Sequence, residues 1–226
     1  MRVEILQELG PDDARLEIPW ASADDPTLAY IDLKTFPDHA EKLDECRSRP
    51  ALGSLLRAIN RPDSPLRSAK CHVWITHELA EEERWDFDFP VKIGSYLDLL
   101  FDSPDLNESL APHLRLAEEI ERGMKETRLQ AQMDIAVRRC LFHAQENWGY
   151  YLTLFVHAYG ATENEAEAAW TLALLNLREV LDGLTEESVN AGGLGRWGST
   201  NQKASLEPAE SLAGRGGGLE EGNQTA

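Results

Sequence analysis

Residues 70–101 read "KCHVWITHELAEEERWDFDFPVKIGSYLDLLF", and the two ends of this stretch decide the fold class. Residues 70–77 and 92–101 are rich in β-branched and aromatic side chains, which is typical of strands. Because side chains alternate between the two faces of a strand, each segment has one apolar face. These faces carry Cys71, Val73 and Ile75 on the first segment and Ile93, Leu97, Leu99 and Phe101 on the second. The two segments predict a long antiparallel hairpin.

The stretch between the two predicted strands combines acids with aromatic side chains. It contains Trp85, Phe87 and Phe89 at every second position, among the acids of "HELAEEERWDFDFP". If this stretch is extended, the three aromatics point one way and the neighbouring acids point the other. We expect the aromatics to fill the edge of the protein's own core, because such side chains bury large areas. The alternative is that they form a docking surface. A calcium site is not indicated, because the spacing and the glycine of an EF-hand are absent.

The rest of residues 1–104 mixes short strands and short helices. Residues 14–21 ("ARLEIPWA") and 28–34 ("LAYIDLK") alternate apolar and polar residues, as half-buried strands do. Pro37 and Pro50 each begin a helical segment, at the first-turn position where proline is tolerated. Together with the hairpin, these patterns predict a mostly antiparallel sheet of about four strands with short helices.

From residue 105 the apolar residues recur at steps of three and four, which indicates helices. One helix is predicted over residues 110–128, a long one over 129–159, and a last one from the T-x-x-E capping box at Thr162 to Gly183. The apolar stripe of the long helix is Met133, Val137, Cys140, Leu141, Ala144, Trp148, Tyr151, Leu152, Phe155 and Tyr159. Residues 105–184 therefore predict a layer of about three helices packed on the sheet, within one α+β domain.

Residues 185–226 differ in composition from the rest of the chain. They are rich in glycine, serine and glutamate and carry few large apolar residues, which predicts a disordered tail. Trp197 is the exception in this tail. We interpret it as a residue without a specific role. The alternative is that it anchors a partner or docks on the parent domain.

Charge and cysteine usage exclude several classes of protein. The net charge of -18 over 226 residues argues against binding to nucleic acid or to an anionic membrane and suits basic partners. The three cysteines form no CxxC pair, so neither a zinc knuckle nor a thioredoxin-like motif is indicated. Free thiols and the lack of a long apolar run predict a cytoplasmic protein.

The histidines offer two weak starting points for chemistry. His72 and Trp74 share a strand face, as do Tyr96 and Asp98, so a register that placed Asp98 beside His72 would form an acid–base pair. On the predicted long helix, His143 and Glu146 lie one turn apart and could share a metal ion. We interpret both sets as ordinary surface groups and predict no metal and no cofactor. A nucleophile elbow and a P-loop are absent, and no G-x-G-x-x-G occurs before Gly192. The glycine-rich "GGLGRWG" at residues 192–198 lies in the predicted tail with no strand before it, so we do not interpret it as a dinucleotide-binding loop.

These observations predict an acidic, non-catalytic protein–protein interaction or accessory protein with an unidentified protein partner. The alternative is an enzyme or small-ligand binder with a pocket between sheet and helices that uses His72 and Asp98 or His143 and Glu146. A closed pocket lined by Trp74 and Tyr96 would favour the alternative, and a flat surface there would favour the interaction protein. The candidate binding residues are Trp85, Phe87, Phe89, His72, Trp74, Tyr96 and Asp98.

Overall fold

A computed structural model of the chain describes residues 1–25, 28–125 and 127–190. Its strands are β1 (Arg2–Glu8), β2 (Arg15–Ile18), β3 (Leu66–Thr76), β4 (Val91–Phe101), β5 (Ala131–Phe142) and β6 (Asn147–Gly160). They form a six-stranded sheet in the order β1-β5-β6-β4-β3, with β2 also paired to β5. The first two strands run parallel to β5, and the other pairs are antiparallel.

The helices surround this sheet along the chain. They are α1 (Asp44–Ser48), α2 (Pro50–Ile59), α3 (Glu81–Phe87), α4 (Pro104–Asn107), α5 (Leu110–Lys125) and α6 (Glu163–Asn190), and a 3₁₀ helix spans Pro37–Lys42. Helices α2 and α5 and the long α6 pack on one face of the sheet. We call the opposite face, which these three helices leave uncovered, the open face.

The core lies between the sheet and these three helices. The apolar face predicted for residues 92–101 is confirmed, because Ile93 and Leu97 are buried there with the rest of that face. From α6, the fully buried Trp170 reaches the sheet and donates its indole N–H to the Ser95 hydroxyl at 2.9 Å. Truncating a buried aromatic of this kind costs about 3 to 5 kcal/mol, so this contact helps to fix α6 on the sheet.

The predicted hairpin is confirmed. Strands β3 and β4 pair antiparallel, with His72 opposite Tyr96 and Trp74 opposite Gly94. The register shifts between Ser68 and Lys70, which marks an irregularity near the start of β3. The mixed composition of the sheet and its helices likewise confirms the α+β class.

The helix predicted over residues 129–159 is wrong. The segment forms β5 and β6, joined by a turn in which Glu146 adopts a positive φ of 49°. It contains three tyrosines, two phenylalanines, two valines and one isoleucine, residue types that favour strands. Both strands are central and buried on both faces over much of their length, so their apolar residues run almost continuously and also satisfy a helical spacing. Residues 105–184 are therefore two long helices around a β-hairpin, and the sheet has six strands.

Smaller predictions also differ from the structure. Strand β1 was not predicted, and residues 28–34 form only an isolated bridge between Ala21 and Ala29. Residues 84–89 are not extended, because α3 includes Trp85 and Phe87. Helix α6 continues past Gly183, where an added Cβ would meet no neighbouring atom, so this glycine does not stop the helix.

The predicted tail lies mostly outside the described part of the chain. Its first residues, 185–190, belong to α6. Residues 191–226, with Trp197, are outside the described residues. Over the described ranges, the helices include none with the length and apolar character needed to cross a membrane.

Candidate functional site

Aromatic side chains of three adjacent strands lie side by side on the open face. The strand register aligns His72 with Tyr96 and Phe155 in one row, and Trp74 with Gly94 and His157 in the next. The indole of Trp74 lies over Gly94, where an added Cβ would come within 2.4 Å of the ring. Glycine at this position therefore makes room for the indole.

The candidate pair His72 and Asp98 does not form. The register places Lys70, and not His72, opposite Asp98. The Thr153 hydroxyl donates to Asp98 Oδ1 at 2.7 Å, while His72 Nδ1 lies 3.4 Å from Glu45 Oε1. Burial raises the pKa of Asp98 to about 6, partly offset by the Thr153 hydrogen bond. Asp98 is therefore a buried carboxyl beneath the open face, without the acid–base partner that the sequence suggested.

Helix α3 divides the predicted aromatic cluster. Phe87 stacks on Tyr159 of β6 at 3.9 Å between ring centroids, whereas Trp85 is 81% exposed. The expectation that all three aromatics pack internally is therefore wrong for Trp85; Phe89 is half-buried. Glu83 attaches α3 to the start of β4. Its carboxylate lies 2.6 Å from Lys92 Nζ and accepts a hydrogen bond from the Ala80 N–H.

A cavity of about 440 Å³ lies at the outer edge of β3. It is lined by residues 68–72 of that strand and by Trp20 and Tyr96. Across from the strand, its wall is formed by residues 42–45 and by Leu28, Ala29, Ile31 and Leu33. Consecutive strand residues point to opposite faces, so a cavity that touches every residue from 68 to 72 lies beside the strand rather than over one face. We call it the edge slot.

The backbone along this edge is paired at its start. The Ser68 N–H donates to Asn60 Oδ1 at 3.1 Å, and the Ala69 carbonyl accepts from the Trp20 indole at 2.8 Å. Farther along, within the described parts of the chain, no backbone hydrogen bond from outside the sheet reaches residues 70–76. Alternate residues there direct N–H and C=O groups away from β4, so this part of β3 is an open edge.

Some of the charged groups around the edge slot have a partner of opposite charge or a histidine beside them, and in the described part of the chain Lys70 does not. Glu45 is next to His72, and Asp44 pairs with Arg47. The Lys70 ammonium lies 4.9 Å from the ring centroid of Trp20 and forms no ion pair within the described residues. The sequence did not indicate Trp20, Lys70 or Glu45, because they come from separate segments that no local pattern connects.

His143 and Glu146 lie in the turn between β5 and β6 and not on a helix. His143 Nε2 is 2.9 Å from Glu17 Oε2, and both histidine and glutamate side chains are exposed. Within residues 1–25, 28–125 and 127–190, no group of three or more His, Cys, Asp or Glu side chains is placed to hold a metal ion.

Of the residues predicted to bind, His72 and Tyr96 line the edge slot, and Trp74 and Asp98 do not. Trp74 lies beside His72 on the open face, where their stacked rings are 6.2 Å apart. In comparisons with known proteins, the chain matches no protein-family model, no curated protein and no solved structure.

Proposed function

We propose that this chain is a non-catalytic interaction protein that binds an extended segment of a partner protein as an additional strand on β3. The observation that carries the proposal is the unpaired edge of residues 70–76, with the edge slot beside its first part. Strand addition satisfies such backbone groups and gives affinity through main-chain hydrogen bonds. At about 3.4 Å per residue, this edge is roughly 24 Å long, enough for a short peptide strand.

The side chains on the two faces of β3 favour a particular kind of partner strand. On the helix-covered face, Cys71, Val73 and Ile75 would extend an apolar surface beneath every second residue of the partner. On the open face, His72 and Trp74 would extend an aromatic row. An alternating apolar and polar segment matches these faces, and a net charge of -18 attracts a segment that also carries basic residues.

The other border of the sheet is a poorer docking edge. Strand β1 also lies at the end of the sheet order, but its short sequence contains Arg2, Glu4 and Glu8. Charged side chains on an edge strand disfavour pairing with a further strand. The lining of the edge slot includes no residue of β1.

The experiment is selection of peptides from a random library against the folded full-length chain, followed by hydrogen exchange on the complex. We expect selected peptides to slow amide exchange within residues 70–76. Ala29→Trp should abolish binding, because Ala29 lines the edge slot. The control is Ala23→Trp, an exposed position outside the lining of the edge slot. If the peptides instead slow amide exchange mainly around Trp85 of α3, the interaction belongs to that exposed aromatic and strand addition is refuted.

A second candidate function is binding of a small organic anion in the edge slot. It is favoured by the Lys70 ammonium, which lies near the rings of Trp20 and Tyr96 and has no ion pair within the described residues. A slot volume of about 440 Å³ is in the usual range for small-molecule sites, roughly 300 to 1,000 Å³. Fluorescence titration with anilinonaphthalene sulfonate tests this candidate. Lys70→Met should weaken binding, and the exposed Lys125→Met should not.

A further inference from the structure

A second cavity, of about 360 Å³, lies beyond the end of β4. It is enclosed by the end of β2, the start of α4 and the turn between β5 and β6, and we call it the end cavity. Its apolar walls include Ile18, Leu100 and Phe142, with the ring of Tyr30. It shares no lining residue with the edge slot.

Arginine contributes no free positive charge to the end cavity. Arg67 Nη2 lies 2.7 Å from Asp32 Oδ1, so this guanidinium is already paired. Asp102, the second acid near it, is shared at 3.8 Å with Arg67 and at 3.8 Å with Lys34. These four groups balance one another in charge.

Glu108, a third acid, lies at the rim of the end cavity and is not part of this balanced group of charges. Its Oε1 accepts a hydrogen bond from the Asn147 side-chain amide at 2.8 Å, and within the described residues no cation pairs with it. An amide donor carries no charge, so the hydrogen bond from Asn147 does not neutralise this carboxylate at the mouth of an apolar cavity. This arrangement complements a ligand with an apolar body and one positive charge.

We propose that the end cavity binds a small organic cation, such as a primary amine with a compact apolar body. The apolar part would lie against Leu100 and Phe142, and the ammonium would contact Glu108 at the rim. Tyr30 and Phe142 are both among the lining residues, and aromatic rings attract cations. The volume suits a small ligand, and the net charge of -18 concentrates cations near the surface. A small anion would instead meet Glu108 and Asp102.

Three probes with one phenyl body and different head groups test the class of ligand: phenethylamine, phenethyl alcohol and phenylpropionate. Calorimetric titration of the full-length chain should show binding of phenethylamine. The alcohol and the carboxylate should bind at least about tenfold more weakly, because each lacks the charge-assisted contact with Glu108. Equal affinity for all three heads, or no binding of the amine, would overturn the proposal.

Two variants locate the site. Glu108→Gln should weaken phenethylamine binding about tenfold, since the uncharged amide can keep an acceptor for Asn147 but not the attraction to an ammonium. Glu118→Gln on the exposed side of α5 is the matched control and should leave affinity unchanged. Ala144→Trp should occlude the cavity from its exposed rim and abolish binding without touching the core. If the amine still binds to this variant with full affinity, the site lies elsewhere and the assignment is wrong.

Discussion

Replacing Asp98 with asparagine should stabilise the protein at neutral pH and have little effect near pH 4. Asp98 is only 5% exposed, and burial raises the pKa of its carboxyl from 3.8 to about 6. Between these two values the folded protein holds a proton that the unfolded chain releases, so stability falls as the pH rises. At about 1.4 kcal/mol per pH unit, the destabilisation reaches about 3 kcal/mol above pH 6. Asparagine keeps an oxygen that can accept the Thr153 hydrogen bond and carries no charge to bury.

His113 has the opposite pH dependence over an overlapping range. It is 1% exposed, and burial lowers the pKa of its imidazole from 6.5 to about 4. The unfolded chain takes up a proton in this range and the folded protein does not, so stability is lost as the pH falls from 6.5 towards 4. This loss is also about 3 kcal/mol. The contributions of Asp98 and His113 therefore nearly cancel in the unmodified protein between about pH 4 and 6.

Urea unfolding followed by circular dichroism, at several pH values from about 4 to 7.5, measures the free energy of unfolding of each variant. Asp98→Asn should show a stability gain that grows with pH towards about 3 kcal/mol, and a steeper loss on acidification than the unmodified protein. Asp12→Asn, on an exposed loop, serves as the control and should leave the pH profile unchanged. A gain that is the same at every pH would refute the assignment of a buried, protonated carboxyl to Asp98.

Two further predictions concern packing on the open face. Gly94→Ala should destabilise the protein by about 1 to 3 kcal/mol in urea unfolding, because its Cβ would meet the Trp74 ring. The same change in a Trp74→Ala background should cost clearly less, and additive costs would contradict the contact. Phe87→Ala should lose a stacking contact with Tyr159 and lower the unfolding free energy by about 1 kcal/mol or more. The exposed Trp85→Ala should stay within about 0.5 kcal/mol, and equal losses for the two variants would show that Trp85 is also packed.

The hairpin of β3 and β4 could be predicted because one face of each strand is apolar and the other is mixed. The alternation of apolar and polar residues around Val73 and Ile93 therefore fits a strand and not a helix. The same reasoning failed for β5 and β6, where both faces are largely buried. Leu152 lies on the helix-covered side and Tyr151 packs in a second cluster on the open side, so neighbouring residues are both apolar and the period of two is lost.

The edge slot could not be found from sequence for a different reason. Glu45 and His72 are neighbours in space although 27 positions separate them, and Trp20 reaches Ala69 from 49 positions away. Sequence periodicity reports only which side of its own element a residue occupies. Which strand lies at the border of the sheet depends on the pairing of β4 with β6, and this pairing has no local signal.

The pairing of β1 with β5 has a consequence for biosynthesis. Arg2 lies opposite Gln132, so the first strand meets its neighbour across about 130 residues of chain. A ribosome adds about 5 to 20 residues per second, so β1 waits on the order of ten seconds before β5 has been made. Strand β4 likewise gains its inner neighbour only when β6 has left the exit tunnel. The sheet is therefore completed only after β6 has been made, and until then the nascent chain carries several unpaired strands that chaperones can bind.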